Sequence, residues 1–439
     1  MSGSRRAYVL GGGVAGLAAA FGLCDRGFEV TLLESRRHCG GRAFASEDRV
    51  FGRRLDNGFH VMLGCYRAMR ALCRRLGTEQ GFQQDRSLSM CYRFRTRTTT
   101  RLSLSRLPVP LSMPWSLMGL GIGFGARLRA LLGMGTVLLG APRSWTFADW
   151  LRRRWQSGQP DDVMWRPLCR AVMNCEPEQA SASEFLATLR EAFLGRAGSA
   201  AFWVPKRTWG ELLGDPAPAA LAAAGATLRT GARVASLDRH DGRVTAVVLA
   251  DGERLELDPA AGDVVVSAMP WFALGRVLGD AAPVPFAQLD SAPIVTAYFD
   301  VDDGTPPPDE GPVVALVGAQ PFHFVLRTPG DPVGRFAVLS GGDRSFDGMP
   351  VDEIVAVAKR QAADYYDGVD LARATVRIRK EQLATFVPGP GSSALRPAPG
   401  PLPGGPANLY VCGDWTATGF PATLEGAARS SERMLATIS

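Results

Sequence analysis

The chain has 439 residues, 46% hydrophobic and 21% charged, which excludes a disordered chain and predicts two or three substructures. Its net charge of +6 is carried almost wholly by arginine, without a basic tail or a nucleic-acid module, so no nucleic-acid partner is expected. The same charge reads either as a solvated surface or as attraction to anionic membrane, worth about 1 kcal/mol per basic side chain near the headgroups.

Eight cysteines (Cys24, Cys39, Cys65, Cys73, Cys91, Cys169, Cys175 and Cys412) never stand in C-x-x-C spacing, which argues against zinc knuckles and a disulfide framework. No metal site is expected. The sequence opens directly on a structural motif, without an apolar h-region or cleavage site, and a reducing, cytoplasmic compartment is expected.

Ala7-Tyr-Val-Leu10 suits a buried parallel strand. Gly11-Gly-Gly13-Val14-Ala15-Gly16 follows at once, then a helix-prone run to Leu23, and Gly27 ends that helix. Phe28–Leu33 reads as a second strand with Glu34 at its end. Each part has a physical task in gripping a dinucleotide. Gly11 makes the tight turn, Gly13 lets backbone approach a pyrophosphate, and Gly16 allows close helix–strand packing. The helix start, with Val14 and Ala15, offers N–H groups and positive dipole to the diphosphate. Glu34 is placed to accept both hydroxyls of an adenosine ribose, and would repel a 2′-phosphate. The looser match Gly121-Ile-Gly123-Phe-Gly-Ala126 has no strand before it and no acid after it, so it carries no such reading.

Glu34-Ser35-Arg-Arg-His-Cys-Gly40-Gly41-Arg42 resembles the extended FAD fingerprint of the amine oxidase and carotenoid desaturase superfamily. The resemblance implies FAD as cofactor, with Gly40, Gly41 and Arg42 along the diphosphate. At the other end, Leu409-Tyr-Val-Cys-Gly413-Asp414-Trp is a strand running into Gly-Asp, followed by a turn with Pro421 and a helix from about Thr423. The resemblance gives Asp414 to the ribityl chain or phosphate, and aims Thr423, Leu424 and Glu425 at the flavin N1–C2=O edge. A helix N-terminus there stabilises the negative charge of a reduced flavin.

Between the ends, residues 226–268 alternate like β-hairpins, with a turn at Asp251-Gly252 and a buried strand at 263–270. The resemblance places the backbone near Val234 against the adenine. Ile294–Phe299 and Arg335–Leu339 read as strands, 351–366 as a helix, and 388–406 as a Pro/Gly-rich loop. Residues 107–141 hold two uncharged runs around Arg127 and Arg129, interrupted by proline. A spanning helix needs about 20 consecutive apolar residues. Two apolar helices fit better, either lining a greasy tunnel, dipping into one leaflet, or simply buried.

The segments Leu55-Asp-Asn57-Gly58-Phe59-His60-Val-Met-Leu-Gly64-Cys-Tyr66, Trp165–Asn174 and Val204-Pro205 resemble one branch in particular, the squalene-associated FAD-dependent desaturases or hydroxysqualene dehydroxylases of bacterial hopanoid pathways. The likeness spans nearly the whole chain, and Phe59 departs from it where Gln is expected in many relatives. It implies an α/β protein: a Rossmann-like FAD domain of glutathione reductase type with an interleaved α+β substrate domain. The FAD domain takes residues 1–80, 206–284 and 401–439. The substrate side takes 81–205, with its apolar stretch 107–141, and 285–400.

It further implies reduction of hydroxysqualene to squalene, with hopanoid-pathway enzymes as neighbours, while the basic charge and the 107–141 stretch leave peripheral contact with the inner face of the cytoplasmic membrane open beside ordinary buried helices. Such a reaction needs a proton donor for the leaving hydroxyl, aromatic faces for developing allylic charge, and a hydride source shielded from water. Asn57, Gly58, Phe59 and His60 are expected beside the flavin. His60 is the candidate acid, since histidine titrates in the useful range, with Tyr66 and Arg67 as weaker candidates. A carotenoid desaturase or isomerase and a non-catalytic isoprenoid escort are the competing readings; an amine oxidase fits the apolar 107–141 stretch less well.

Overall fold

Strand Arg6–Leu10 lies inside a six-stranded sheet, and its alternation shows why. Ala7 and Val9 face one buried core, with Val30, Leu32, Val264 and Val266; Leu10 faces the opposite one, with Leu33, Val265, Leu409 and Val411. Apolar residues on both faces are the mark of a parallel sheet covered on both sides. The strand order is Thr227–Thr230, Glu29–Glu34, Arg6–Leu10, Val264–Ser267, Leu409–Val411, Gly400–Pro401. The first five are parallel and the last is antiparallel. The computed structural model describes residues 4–105, 107, 109–194, 198–279, 282–283, 288–301, 308–332, 334–366 and 371–438. The expected 284/285 domain boundary, and residue 108 of the apolar stretch, lie outside them.

Helix Val14–Cys24 covers one face of this sheet, with helix Leu424–Leu435 beside it. Gly22 sets their separation: a Cβ there would lie 2.2 Å from Leu435 Cδ1. The 226–268 block differs from a plain run of hairpins. Thr227–Thr230 joins the parallel sheet, and only Val234–His240, Arg243–Leu249 and Arg254–Glu256 form an antiparallel unit. The cause is local: Gly231 takes φ +71° and donates to Arg36 O, and Ala232 donates to Glu34 O, which bends the chain away at the sheet edge.

A seven-stranded sheet forms the second half, in the order Thr375–Phe386, Ser291–Asp300, Arg335–Gly341, Phe324–Leu326, Val313–Leu316, Ser89–Arg93, Thr99–Ser103. Its faces divide by the period of two. Cys91, Val295, Ala297 and Phe299 pack under helix Val351–Tyr365. Met90, Tyr92 and Tyr298 pack under helices drawn from 109–193.

The 107–141 stretch forms two helices, Val109–Met118 and Phe124–Thr136. The Gly121-Ile-Gly123 pattern is the turn between them. Neither helix is wholly buried: Met113, Leu117, Ala126 and Ala130 face the core, while Leu111, Trp115, Phe124, Leu128 and Leu132 are exposed. Among the described residues no helix is long and apolar enough to cross a membrane.

Candidate functional site at the sheet switch point

The chain leaves strand Arg6–Leu10 for Glu29–Glu34 on one side and later places Val264–Ser267 on the other. The carboxyl end of Arg6–Leu10 is therefore the point where strand order reverses, and ligands of open α/β sheets bind there. Gly11 to Gly16 occupy that point. Gly11 has φ +105°, a backbone region that favours glycine. A Cβ on Gly16 would lie 1.8 Å from Gly11 O, so only glycine lets the helix start so close to the turn. Gly12, which spacing alone did not single out, is equally confined: its Cβ would stand 3.1 Å from both Glu34 Oε2 and Cys39 Sγ.

The helix start has Gly13 as N-cap, with no side-chain cap and no acid in its first turn. Leu17 N reaches Gly13 O at 2.9 Å, but the N–H groups of Val14, Ala15 and Gly16 have no acceptor among the described residues. An uncapped, buried helix start fits an anion. The residues present therefore fit the diphosphate of a dinucleotide.

Glu34 is buried and already engaged. It accepts from Gly12 N at 2.6 Å through one oxygen, and from Arg36 N at 2.8 Å and Ser35 Oγ at 3.1 Å through the other. Three of roughly four acceptor positions of a carboxylate are thus taken by the protein. Its first task is to tie the glycine turn to the second strand, and Ser35 serves that carboxylate. About one acceptor position of the carboxylate is left for a ribose hydroxyl. Val234 opens the strand that follows Ala232, whose N–H bonds Glu34 O, so its backbone runs beside the same acid.

The Gly40-Gly41-Arg42 segment packs on the glycine turn. Gly40 N donates to Gly12 O at 2.9 Å, and a Cβ on Gly41 would lie 3.0 Å from Gly13 Cα. Both residues have positive φ. Arg42 then spans the site, donating to Ala384 O and to Asp414 Oδ1, each at 2.5 Å. One guanidinium thus joins the N-terminal motif, the C-terminal motif and strand Thr375–Phe386. Gly413 holds φ +135°, donates to Ser430 Oγ at 2.7 Å, and would meet Trp415 Nε1 at 2.9 Å if it bore a Cβ. Burial pushes the adjoining Cys412 thiol up to about 12, so it remains a thiol.

Pro421 is buried at the end of the next turn, and Thr423 caps helix Leu424–Leu435 by accepting from Gly426 N at 3.0 Å. The N–H groups of Leu424 and Glu425 precede that cap and find no acceptor among the described residues. The Glu425 side chain points elsewhere. It accepts from the backbone N–H groups of Arg67 (3.0 Å), Ala68 (3.3 Å) and Met69 (2.9 Å), and from Arg429 Nε at 2.6 Å, while Arg429 also pairs with Glu191. It is the cap of helix Arg67–Arg75. The Glu425 side chain thus serves that helix, and its backbone N–H alone is left to face a cofactor.

Arg67 is corrected as a catalytic candidate. Its side chain is exposed in an outer cleft of about 320 Å³ with Glu191, Arg429, Glu432 and Arg433. Tyr66 precedes that helix, and burial pushes its phenol well above the ordinary tyrosine value, which makes it a poor proton donor.

The loop from Asp56 to His60 reaches the same place. Asn57 Nδ2 donates to Glu381 Oε2 at 3.0 Å, Asn57 N to Phe44 O at 2.8 Å, and Gly58 is buried behind His60. Phe59 packs on the helical side of the large sheet. His60 Nδ1 lies 2.7 Å from Gly58 O, which only accepts, so Nδ1 carries the proton and Nε2 the lone pair in the neutral ring. Desolvation holds its pKa below the ordinary histidine value, Arg42 adds to this, and the Gly58 carbonyl opposes it.

Trp209 fixes the loop and was not foreseen. Its N–H donates to Asp56 Oδ1 at 2.7 Å, its indole to His60 O at 3.1 Å, and its ring meets the His60 ring edge-on at 6.1 Å. Tyr298 adds a bond to Asp56 O at 3.1 Å. Burial raises the Asp56 carboxyl to about 7 against the opposing Trp209 N–H.

Comparison with known proteins bears on the family and the fold. The family described as flavin containing amine oxidoreductase matches residues 14–434. The hydroxysqualene dehydroxylases of Sinorhizobium fredii and Rhodopseudomonas palustris are each 29% identical, over 98% of this chain and 97% of theirs. A Synechococcus elongatus chain named for zeta-carotene desaturation is 24% identical over 98% of this chain and 97% of its own. In three dimensions an oxidoreductase from Methanosarcina mazei superposes with a TM-score of 0.74 at 15% identity, covering 97% of this chain and 99% of its own. The chain is an FAD-dependent oxidoreductase with a Rossmann-like cofactor domain, and it belongs to the flavin-containing amine oxidoreductase family.

Proposed function

We propose that this enzyme reduces hydroxysqualene to squalene and water. The observation that carries the reading is the end-to-end likeness to two hydroxysqualene dehydroxylases. When bound in reduced form, FAD supplies the hydride that replaces the hydroxyl at the allylic carbon.

The chain's own residues do the rest. The uncapped helix start at Val14–Gly16 and Arg42 hold the diphosphate, the backbone beside Glu34 and Val234 holds the adenosine, and Asp414 holds Arg42 in register. The N–H groups of Leu424 and Glu425 offer positive potential where negative charge collects. His60 stands in its neutral form, with Nδ1–H engaged by Gly58 O. It acts as an acid only after taking a proton at Nε2, so its contribution grows toward acid pH. Phe59 packs against the apolar core and presents no polar side chain to the isoprenoid.

In this reading residues 1–80, 206–284 and 401–439 serve the cofactor, and 81–205 with 285–400 serve the substrate. The enzyme works in the cytoplasm, peripherally on the inner face of the membrane, beside other hopanoid-pathway enzymes. Incubating the FAD-loaded protein with hydroxysqualene and a chemical reductant tests the reaction. Squalene is the expected product. Inactivity there with turnover of phytoene would replace the reading with a desaturase, and a colourless protein lacking absorbance near about 450 nm would replace it with an escort.

A further inference from the structure

We infer that the outward faces of helices Val109–Met118 and Phe124–Thr136, together with the turn at Trp155, dock on one leaflet of an anionic lipid bilayer. The large exposed hydrophobics concentrate there: Trp115 and Phe124 are each 80% exposed and Trp155 78%. The pattern is that of a face, not of scattered residues. On the second helix Phe124, Leu128 and Leu132 follow one another at i, i+4, i+8, while Ala126 and Ala130 turn to the core. A soluble surface rarely carries so continuous an apolar patch without a partner.

Trp155 adds an observation that no sequence periodicity could supply. It is a non-glycine residue at φ +54°, a sparsely populated backbone region, and its carbonyl is clamped by Arg129 Nη1 at 3.1 Å. The backbone is thus held in a strained turn that leaves a large indole in solvent. Tryptophan is the residue of membrane interfaces, with an apolar ring that sits at headgroup level.

Charge selects the occupant. Between residues 107 and 160 the sequence has six arginines and a single aspartate, Asp149, so most of the chain's net positive charge lies in this segment. Arg152 and Arg153 are exposed next to Trp155, and Arg153 lies over the Trp145 ring at 4.6 Å. A second copy of the chain would set this positive face against itself in a symmetric dimer, which disfavours that occupant. Anionic headgroups complement it, and the helices are too short to do more than lie in the plane. The inference deepens the reading of a lipid substrate, and rests on it only in that the leaflet would be the substrate's source.

The test is vesicle flotation of the FAD-loaded enzyme without substrate, using phosphatidylglycerol-containing and pure phosphatidylcholine vesicles at physiological salt. The wild-type protein is expected to float with the anionic vesicles and at least tenfold less with the neutral ones. The triple variant F124S/L128S/L132S and the single variant W155S are each expected to lose at least tenfold in binding with flavin content unchanged. R152Q/R153Q is expected to bind more weakly and with a shallower salt dependence. Equal flotation of wild type and triple variant, no flotation of wild type, or a wild-type dimer in sedimentation that the triple variant dissolves would each overturn the inference. Squalene formation from detergent-dispersed substrate, measured on the same preparations, reads the reaction separately. Its failure with docking intact would sink the reaction alone.

Discussion

Around the turn from Gly11 to Gly16, polar groups are placed to within a few tenths of an ångström. Glu34 is bound through both oxygens, Arg42 joins three segments, and added Cβ atoms would strike backbone. Across helices Val109–Met118 and Phe124–Thr136 the outward side chains are large, apolar and in water. The first region tolerates no change of shape because its function is geometric. The second needs only hydrophobicity and charge, because the surface we assign to it is fluid. Substitutions should therefore fail steeply in one region and gently in the other.

The steepest failure is expected at Gly16. Overpacking a core usually costs about 1–3 kcal/mol, but here the obstructing atom is backbone in a strained turn, which cannot rotate aside. Gly16→Ala should purify without flavin, read as lost absorbance near about 450 nm. A variant that keeps a full complement of flavin would show that the glycine turn is far more pliable than the second region.

His60 comes next. General acid catalysis contributes about 10²–10⁴-fold, so His60→Gln should retain flavin and lose at least ~100-fold in turnover. Its pKa lies below the histidine value of 6.5, so kcat/KM should rise as pH falls below that value, and the variant should lack this limb. For stability the sign is opposite. Below 6.5 the unfolded chain binds more protons at this residue than the folded one, so His60 contributes a loss of stability as pH falls toward its folded value. Near-full turnover in the variant would remove His60 from the reaction.

The local half of this site was legible, and the assembled half was not. Gly11, Gly13, Gly16 and Glu34 fall within one strand–turn–helix–strand unit, where spacing in sequence is spacing in space. Arg42 with Asp414, Asn57 with Glu381, and Glu425 with the start of helix Arg67–Arg75 are separated by more than 300 residues. No periodicity relates such positions. The resemblance marked Asp414 and Glu425 as cofactor residues, yet it could not tell that one carboxylate holds an arginine and the other caps a helix. Trp209 was missed for the same reason: the Trp in Thr-Trp-Gly is meaningful only once the 55–60 loop lies against it. In the apolar stretch the two helices were readable from composition, but which face each exposes depended on the core behind them.

Glu425 offers a smaller and separable effect. Removing an N-terminal cap costs about 0.5–2 kcal/mol, and Arg429 keeps Glu191 as partner. Glu425→Ala should lower thermal stability by about that much, with the flavin still bound, as seen by calorimetry of the holoenzyme. Loss of flavin without loss of stability would instead assign the Glu425 side chain to the cofactor.

The smallest effect is expected in the second region, and it defines the contrast. Leu128 is 51% exposed and Leu117, on the neighbouring helix, 2%. Truncating a buried leucine costs about 2–5 kcal/mol, because a cavity is left where packing was. At Leu128 water already covers much of the side chain, so Leu128→Ser removes little burial and leaves no cavity. Its cost to folding should stay within about 0.5 kcal/mol, as for other surface substitutions. Denaturant unfolding of the holoenzyme in detergent-free buffer measures it. A loss of 2 kcal/mol or more, on the order of a core truncation, would mean that Leu128 is covered in solution by protein, and the division between a shaped region and a merely apolar one would fall.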